Sequence, residues 1–209
     1  MIYYPLETLC KAGVRDIMVV TGGNSAGDFL KLLGNGRDFG LDDIAYTYQE
    51  DERGPIHALK LCEHFCDGER FIVMLGDNIL EDDISPYVRA FENQGYGGRL
   101  ILKKVDDAHG MSVAEIDEER VLKVHRPAVD AQHPHVVTGT YMYDQRVFEF
   151  IRWLTDSDAE TEMSDANDLY IQESKLCQST LPGWWGEAGT LNGLLAASDF
   201  VAGLRGQAF

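Results

Sequence analysis

Up to about residue 105, short apolar runs alternate with segments whose apolar residues recur every three or four positions. That rhythm predicts an α/β fold of Rossmann-like kind, a mixed but mainly parallel sheet flanked by helices. Leu6, Leu9 and Cys10 share one face of an opening helix, with Pro5 at its first position and Gly13 closing it. A strand is expected over residues 16–20 and a helix over 27–33, ended by Gly34-Asn35-Gly36. Ile44, Tyr46 and Tyr48 alternate as in a strand, and residues 56–65 read as a helix. The run 71–75 (Phe-Ile-Val-Met-Leu) has the unbroken apolar character of a central strand buried on both faces. Residues 84–93 follow as a helix and 99–105 as a strand. Beyond that point, strands at 113–116, 121–124 and 136–143 predict a small antiparallel portion, with helices over 145–154, 166–173 and 191–204. No repeat or Pro/Ser-rich linker divides the chain, so residues 1–209 are taken as one domain.

Composition narrows the partners. Eighteen basic residues against 35 acidic ones give a net charge of −17, with no basic run. Nucleic acid and anionic membrane surfaces are bound through clustered Lys and Arg, so neither is an expected partner. No apolar run approaches bilayer-spanning length, and residues 1–15 lack a signal-peptide pattern. Cys10, Cys62, Cys66 and Cys177 show no disulfide-framework spacing, which points to a reducing cytoplasm. Cys62 and Cys66 share a helix face with His64 between them, a pattern better suited to buried thiols than to a metal pair without further ligands. Seven Lys beside eleven Arg and abundant Asp suits either high salt or an ordinary acidic protein.

Several stretches carry possible chemistry. Gly76-Asp77-Asn78 ends the apolar strand, where ligands bind in open α/β sheets. Asp77 there either holds a hard cation such as Mg²⁺ or simply starts an Asx-turn. Gly23-Asn24-Ser25-Ala26-Gly27 matches the G-x-S-x-G elbow of a serine hydrolase. With no upstream oxyanion loop or His-Gly-Gly segment, Ser25 reads better as a helix cap. Glu160, Glu162, Asp165, Asn167 and Asp168 form an acidic helix entry that Ser164 could cap, favourable at a helix N-terminus without any function. Glu187 lies in Trp184-Trp185-Gly186-Glu187-Ala188-Gly189-Thr190, just before the last helix. If Asp77 and Glu187 converge to within roughly 4–8 Å, they make a two-carboxylate Mg²⁺ site for phosphate substrates. His125, His133 and His135 belong to a polar surface, from which Arg126 could serve a phosphate.

Taken in order, these segments resemble the sugar nucleotidyltransferases, most closely their glucose-1-phosphate thymidylyltransferase branch. The similarity runs through Met1 to Leu6 with Ala12 to Asp16, Gln49 to Ala58, Leu75 to Asn78, Val137 to Tyr141, Glu160 to Asn167 and Trp185 to Thr190. It implies a nucleotide-diphospho-sugar transferase fold with a small sugar-binding portion. It also implies transfer of a nucleotidyl group from dTTP or UTP to a sugar 1-phosphate such as glucose 1-phosphate, with release of pyrophosphate. Such enzymes are cytoplasmic homo-oligomers that supply nucleotide sugars for polysaccharide biosynthesis. By this resemblance Mg²⁺ sits on Asp77 and Glu187, and Asp77 and Arg126 are catalytic. The nucleotide meets Gln49, Gly54 and Asp77, and the sugar meets Ser112, His125, Val137, Gly139, Tyr141 and Glu160.

The sequence also departs from that pattern. The family's opening strand and Gly-rich phosphate loop are not found before the first helix, so the domain reads as N-terminally truncated. Its Glu-Lys-Pro is here His125-Arg126-Pro127, its second metal Asp is Glu187, and an expected Arg is Asp158. An open slot between the strands at 17–20 and 71–75 is the expected result. The alternative to an enzyme is a non-catalytic relative that binds nucleotide sugars or serves as a partner subunit.

Overall fold

A computed structural model describes residues 1–23, 25–51, 53–126, 134–156 and 161–206, with side chains described up to residue 203. Glu160, Asp158, Pro127 and His133 lie outside the described residues. Helix α1 (Tyr3–Lys11) comes first, with Pro5 in its third position rather than its first. Strand β1 (Asp16–Gly22), helix α2 (Ala26–Leu33) and strand β2 (Asp43–Gln49) follow, and β1 and β2 pair in parallel over their full length. The expected helix over 56–65 is broken into α3 (Pro55–Lys60) and α4 (Glu63–Cys66). Next come β3 (Phe71–Met74), the short β4 (Asn78–Leu80), α5 (Ser85–Gln94) and β5 (Gly98–Lys104). The second half contains the β6 (Val113–Asp117)–β7 (Arg120–His125) hairpin, β8 (His135–Tyr143), α6 (Arg146–Leu154) and α7 (Met163–Gln172). Strands β9 (Leu176–Leu181) and β10 (Trp185–Glu187) precede the last helix, α8 (Leu191–Gly206).

The expectation of a mainly parallel sheet is corrected. Six strands form a sheet in the order β3-β8-β5-β9-β7-β6, in which only β5 and β9 run parallel. The reason is β8. The β3–α5–β5 crossover leaves β3 and β5 pointing the same way, as a strand–helix–strand unit should. Strand β8, returning from the β6–β7 hairpin, lies between them and pairs antiparallel with both.

Helices cover both faces of this sheet. Alternation along β5 sends Leu100 and Leu102 to one side, against α3, α6 and α7. Ile101 points to the other, where α1, α2 and α5 supply Leu6, Leu9, Leu33 and Phe91. Tyr143, Phe148 and Tyr170 are fully buried, so the first core is built largely on aromatic volume.

Strand β3 is an edge strand rather than a central one. Among the described residues no strand bridges β1 to β3, although Ile17 to Val20 of β1 and the whole of β3 are apolar. Between them lies a cavity of about 1200 Å³, lined by β1, β3, α1 and the α3–α4 segment. Strands β4 and β10 form a separate antiparallel pair that carries the site described next.

Candidate active site

The end of β3 turns sharply so that Asp77 stands half-buried and Asn78 goes fully inside, 1% exposed. The Asn78 amide Nδ2 donates to Asp77 Oδ1 at 3.0 Å. Its Oδ1 accepts from the Gly139 N–H at 3.1 Å and from Trp185 Nε1–H at 2.7 Å. One buried amide thus ties the turn to β8 and β10 while orienting the Asp77 carboxylate. Gly139 is needed for this approach, since a Cβ there would lie 2.4 Å from Asn78 Nδ2.

The β4–β10 ladder sets Glu187 opposite Asn78, and the Ala188 N–H donates to the Asp77 carbonyl at 2.8 Å. The two carboxylates converge around Gly189. A Cβ on Gly189 would be 2.7 Å from Asp77 Oδ2 and 3.3 Å from Glu187 Oε1, so those oxygens are at most about 6 Å apart, the sum of the two. Partial loss of water, and then the neighbouring Asp77 charge, raise the Glu187 pKa above that of an ordinary glutamate. Among the described residues no third His, Cys, Asp or Glu joins the pair. Two carboxylates beside a space that a methyl group would fill suit Mg²⁺, which keeps waters and takes phosphate oxygens for the rest of its shell.

Tyr141 on β8 feels both Glu187 and Glu162. Burial and these two charges push its phenol up to about 12, so it stays protonated as a donor at neutral pH. Its ring stacks on Tyr143 at 6.0 Å, and Tyr143 stacks on Tyr170 at 5.8 Å, which anchors the column in the core. Glu162, rather than Ser164, caps α7, in a reciprocal capping box with Asp165. Ser164 instead donates to Glu162 Oε2 at 3.2 Å.

Ser112, His125 and Val137 come together at the β6–β7–β8 edge. Val113 pairs with both His125 and Val136, and the Val137 N–H donates to the Ser112 carbonyl at 2.9 Å. Arg126 is placed differently from a free phosphate ligand. Its Nη1 and Nη2 groups donate to Asp165 Oδ1 at 2.8 Å and Asp168 Oδ2 at 2.7 Å, both on α7. Gln49 closes β2, donates from Nε2 to the Gly54 carbonyl at 3.3 Å, and lines the mouth of the cavity with Gly54 and Gly76.

Ser25 is exposed at the start of α2 and makes no side-chain cap bond, so the capping expectation fails. No histidine is hydrogen-bonded to it among the described residues, which leaves the hydrolase reading without a base. The structure adds Asn78 to the site. In the sequence it looks like an ordinary turn amide, and only its position inside a strand-end motif hints at more.

Residues 1–203 match the nucleotidyl transferase family. The chain belongs to that family. A glucose-1-phosphate thymidylyltransferase of Neisseria meningitidis is 33% identical over 206 residues, covering 96% of this chain and 71% of the relative. One from an Actinoplanes species is 36% identical over 207 residues, covering 96% of this chain and 67% of its own. A crystal structure of a Bacillus anthracis protein described as a glucose-1-phosphate thymidylyltransferase superposes with a TM-score of 0.90. It is 36% identical, and the match covers 95% of this chain and 81% of that one. Relatives of this nucleotidyl transferase are thus longer than the chain itself.

Proposed function

We propose that this nucleotidyl transferase joins a nucleoside triphosphate, dTTP or UTP, to a sugar 1-phosphate such as glucose 1-phosphate, and releases pyrophosphate in the cytoplasm. The carrying observation is the convergence of Asp77 and Glu187 around Gly189, with Tyr141 alongside. Mg²⁺ held there would neutralise phosphate charge as the sugar phosphate meets the triphosphate. Asn78 fixes the Asp77 rotamer, and the neutral Tyr141 phenol offers a hydrogen bond to a hydroxyl or phosphate oxygen. Ser112, His125, Val137 and Gly139 form the β6–β8 wall suited to the sugar, with Glu160 assigned to the same subsite by resemblance alone. Gln49 and Gly54 fit the base. Arg126, held by Asp165 and Asp168, acts by fixing α7 against that wall and would need to leave one of them to reach a phosphate. A homo-oligomer is proposed on the resemblance alone.

The test is a panel of nucleoside triphosphates against sugar 1-phosphates, read as Mg²⁺-dependent pyrophosphate release, with Asp77→Asn as the control. Release with one pair, lost in Asp77→Asn, is expected. The open cavity beside β3 favours a second reading, a non-catalytic nucleotide-sugar binder or partner subunit. That reading wins if a nucleotide sugar binds but no pair yields pyrophosphate.

A further inference from the structure

We propose that Lys103 is a positioning residue for the carboxylate pair, an ammonium clamp that fixes the turn before β10 and, through it, Glu187. The inference rests on the reading of Asp77 and Glu187 as a Mg²⁺ site. Strands β4 and β10 have three residues each and form a two-stranded ladder of their own. So short a pair holds its register poorly, and a slip of one residue would turn Glu187 to the opposite face. The register of β10 is therefore set from its ends.

At the far end, the Ala188 N–H donates to the Asp77 carbonyl at 2.8 Å. At the near end lies the turn Leu181-Pro182-Gly183-Trp184, which joins β9 to β10. Lys103 Nζ donates to the Leu181 carbonyl at 3.4 Å, the Pro182 carbonyl at 3.0 Å and the Gly183 carbonyl at 2.5 Å. An ammonium carries three N–H donors and no acceptor, so one side chain meets three successive carbonyls. From the other side, Asp82 Oδ2 accepts from the Gly183 N–H at 2.7 Å and Glu81 Oε2 from the Trp184 N–H at 2.6 Å. The Glu81 N–H returns a bond to the Trp184 carbonyl at 2.9 Å. Pro182 has no N–H, so every backbone polar group from the Leu181 carbonyl to the Trp184 carbonyl has a partner.

Of these three side chains, Asp82 and Glu81 follow β4 directly and belong to the small ladder. Lys103 alone belongs to the six-stranded sheet, next to the wholly buried Leu100 to Leu102 of β5. Asn78 anchors β4 to β8 through Gly139, and Lys103 gives β10 the corresponding anchor on β5.

Mn²⁺ serves as the probe, its binding read by water-proton relaxation in the chain and in Lys103→Met, which keeps the length of the side chain and removes the donors. Affinity should fall at least about tenfold, the scale of loss when the support behind a metal ligand is removed. Amide exchange at residues 183–187 should quicken while that of Leu100 to Leu102 keeps its rate. The Glu187→Gln background separates positioning from general loosening. There Lys103→Met should weaken binding less than about twofold further, because both changes act through one group. Lys104→Met, exposed on the same strand, should bind as the parent does. If Lys103→Met does not fold, Lys103→Arg takes its place, since a planar fork cannot meet three converging carbonyls and the same loss is expected. Parent-like affinity in the Lys103 variant, or an equal loss in both backgrounds, overturns the clamp and leaves the metal site standing. If Asp77→Asn binds Mn²⁺ as tightly as the parent, the metal reading itself falls, and the clamp with it.

Discussion

Gly189 and Asn78 are the two residues on which the geometry of the site turns. Gly189 leaves the space into which both carboxylates lean, and a methyl there would stand 2.7 Å from Asp77 Oδ2. Gly189→Ala should therefore weaken Mg²⁺ binding at least about tenfold, with a loss of stability under about 1 kcal/mol because the backbone needs no left-handed angle. Titration calorimetry beside a urea melt separates the two effects, and unchanged metal affinity would remove the paired-carboxylate assignment. Asn78 behaves in the opposite way. Its amide meets two donors and the Asp77 carboxylate at 1% exposure, so Asn78→Ala strands buried N–H groups on Gly139 and Trp185. A destabilisation of about 2–4 kcal/mol is expected from chemical denaturation. A cost below 0.5 kcal/mol would mean that the amide is not the hub its bonds describe.

Among the elements, α7 depends on Arg126. The guanidinium spans from the end of β7 to Asp165 and Asp168, and burial raises the Asp168 pKa while Arg126 pulls it back down. Because the carboxylates are about one-third and nearly one-half exposed, the pair is worth little more than a surface bridge. Arg126→Met should cost about 1 kcal/mol in a denaturant titration and loosen amide-exchange protection of α7 more than that of α6. Equal loosening of both helices would count against a local tie. Most long elements were legible from apolar periodicity: α1, α2, α5, α6, α8 and β1, β2, β5 and β8 lie within a few residues of their expected places. Strand β9 was not, because its interior is the largely polar Cys177-Gln178-Ser179-Thr180, where buried Arg99 donates to the Gln178 carbonyl and to Ser179 Oγ. Strands β4 and β10 have three residues each, too short for any period to show. Strand β3 was recognised but misplaced, since an apolar run tells how buried a strand should be and not which neighbour is there to bury it. For the site, the residue types of Asp77 and Glu187 were readable, while their convergence depends on a cross-strand register that no local pattern encodes.

The molecule as a whole has two cores on a mixed sheet and an unfilled space at one edge, and its ionisable groups share that uneven burial. Cys62 and Cys66 sit beside the cavity but are themselves buried, and loss of water pushes their thiols up to about 11 and about 12, from an ordinary 9.0. In Cys66 the nearby Cys62 adds to the effect. Tyr141 rises to about 12 from 10.0, and burial likewise raises the phenol of the wholly enclosed Tyr143 well above its ordinary value. In the unfolded chain these groups release protons once the pH passes 9 to 10, whereas the folded chain holds those of Cys62, Cys66 and Tyr141 until about 11 or 12. The unfolded state then binds fewer protons, so stability must fall as pH rises. Stability from these groups is therefore complete below about pH 9 and is lost progressively between about 9 and 12. The midpoint of urea unfolding should drop over that range, starting with the thiols and steepening as the phenols join. Replacing both cysteines in Cys62→Ala/Cys66→Ala lowers stability at every pH through lost packing, but it should flatten the early part of the decline, between about pH 9 and 10. An unchanged slope in the double variant would mean that these thiols ionise as readily folded as unfolded, and that the wall of the cavity they form is open to water.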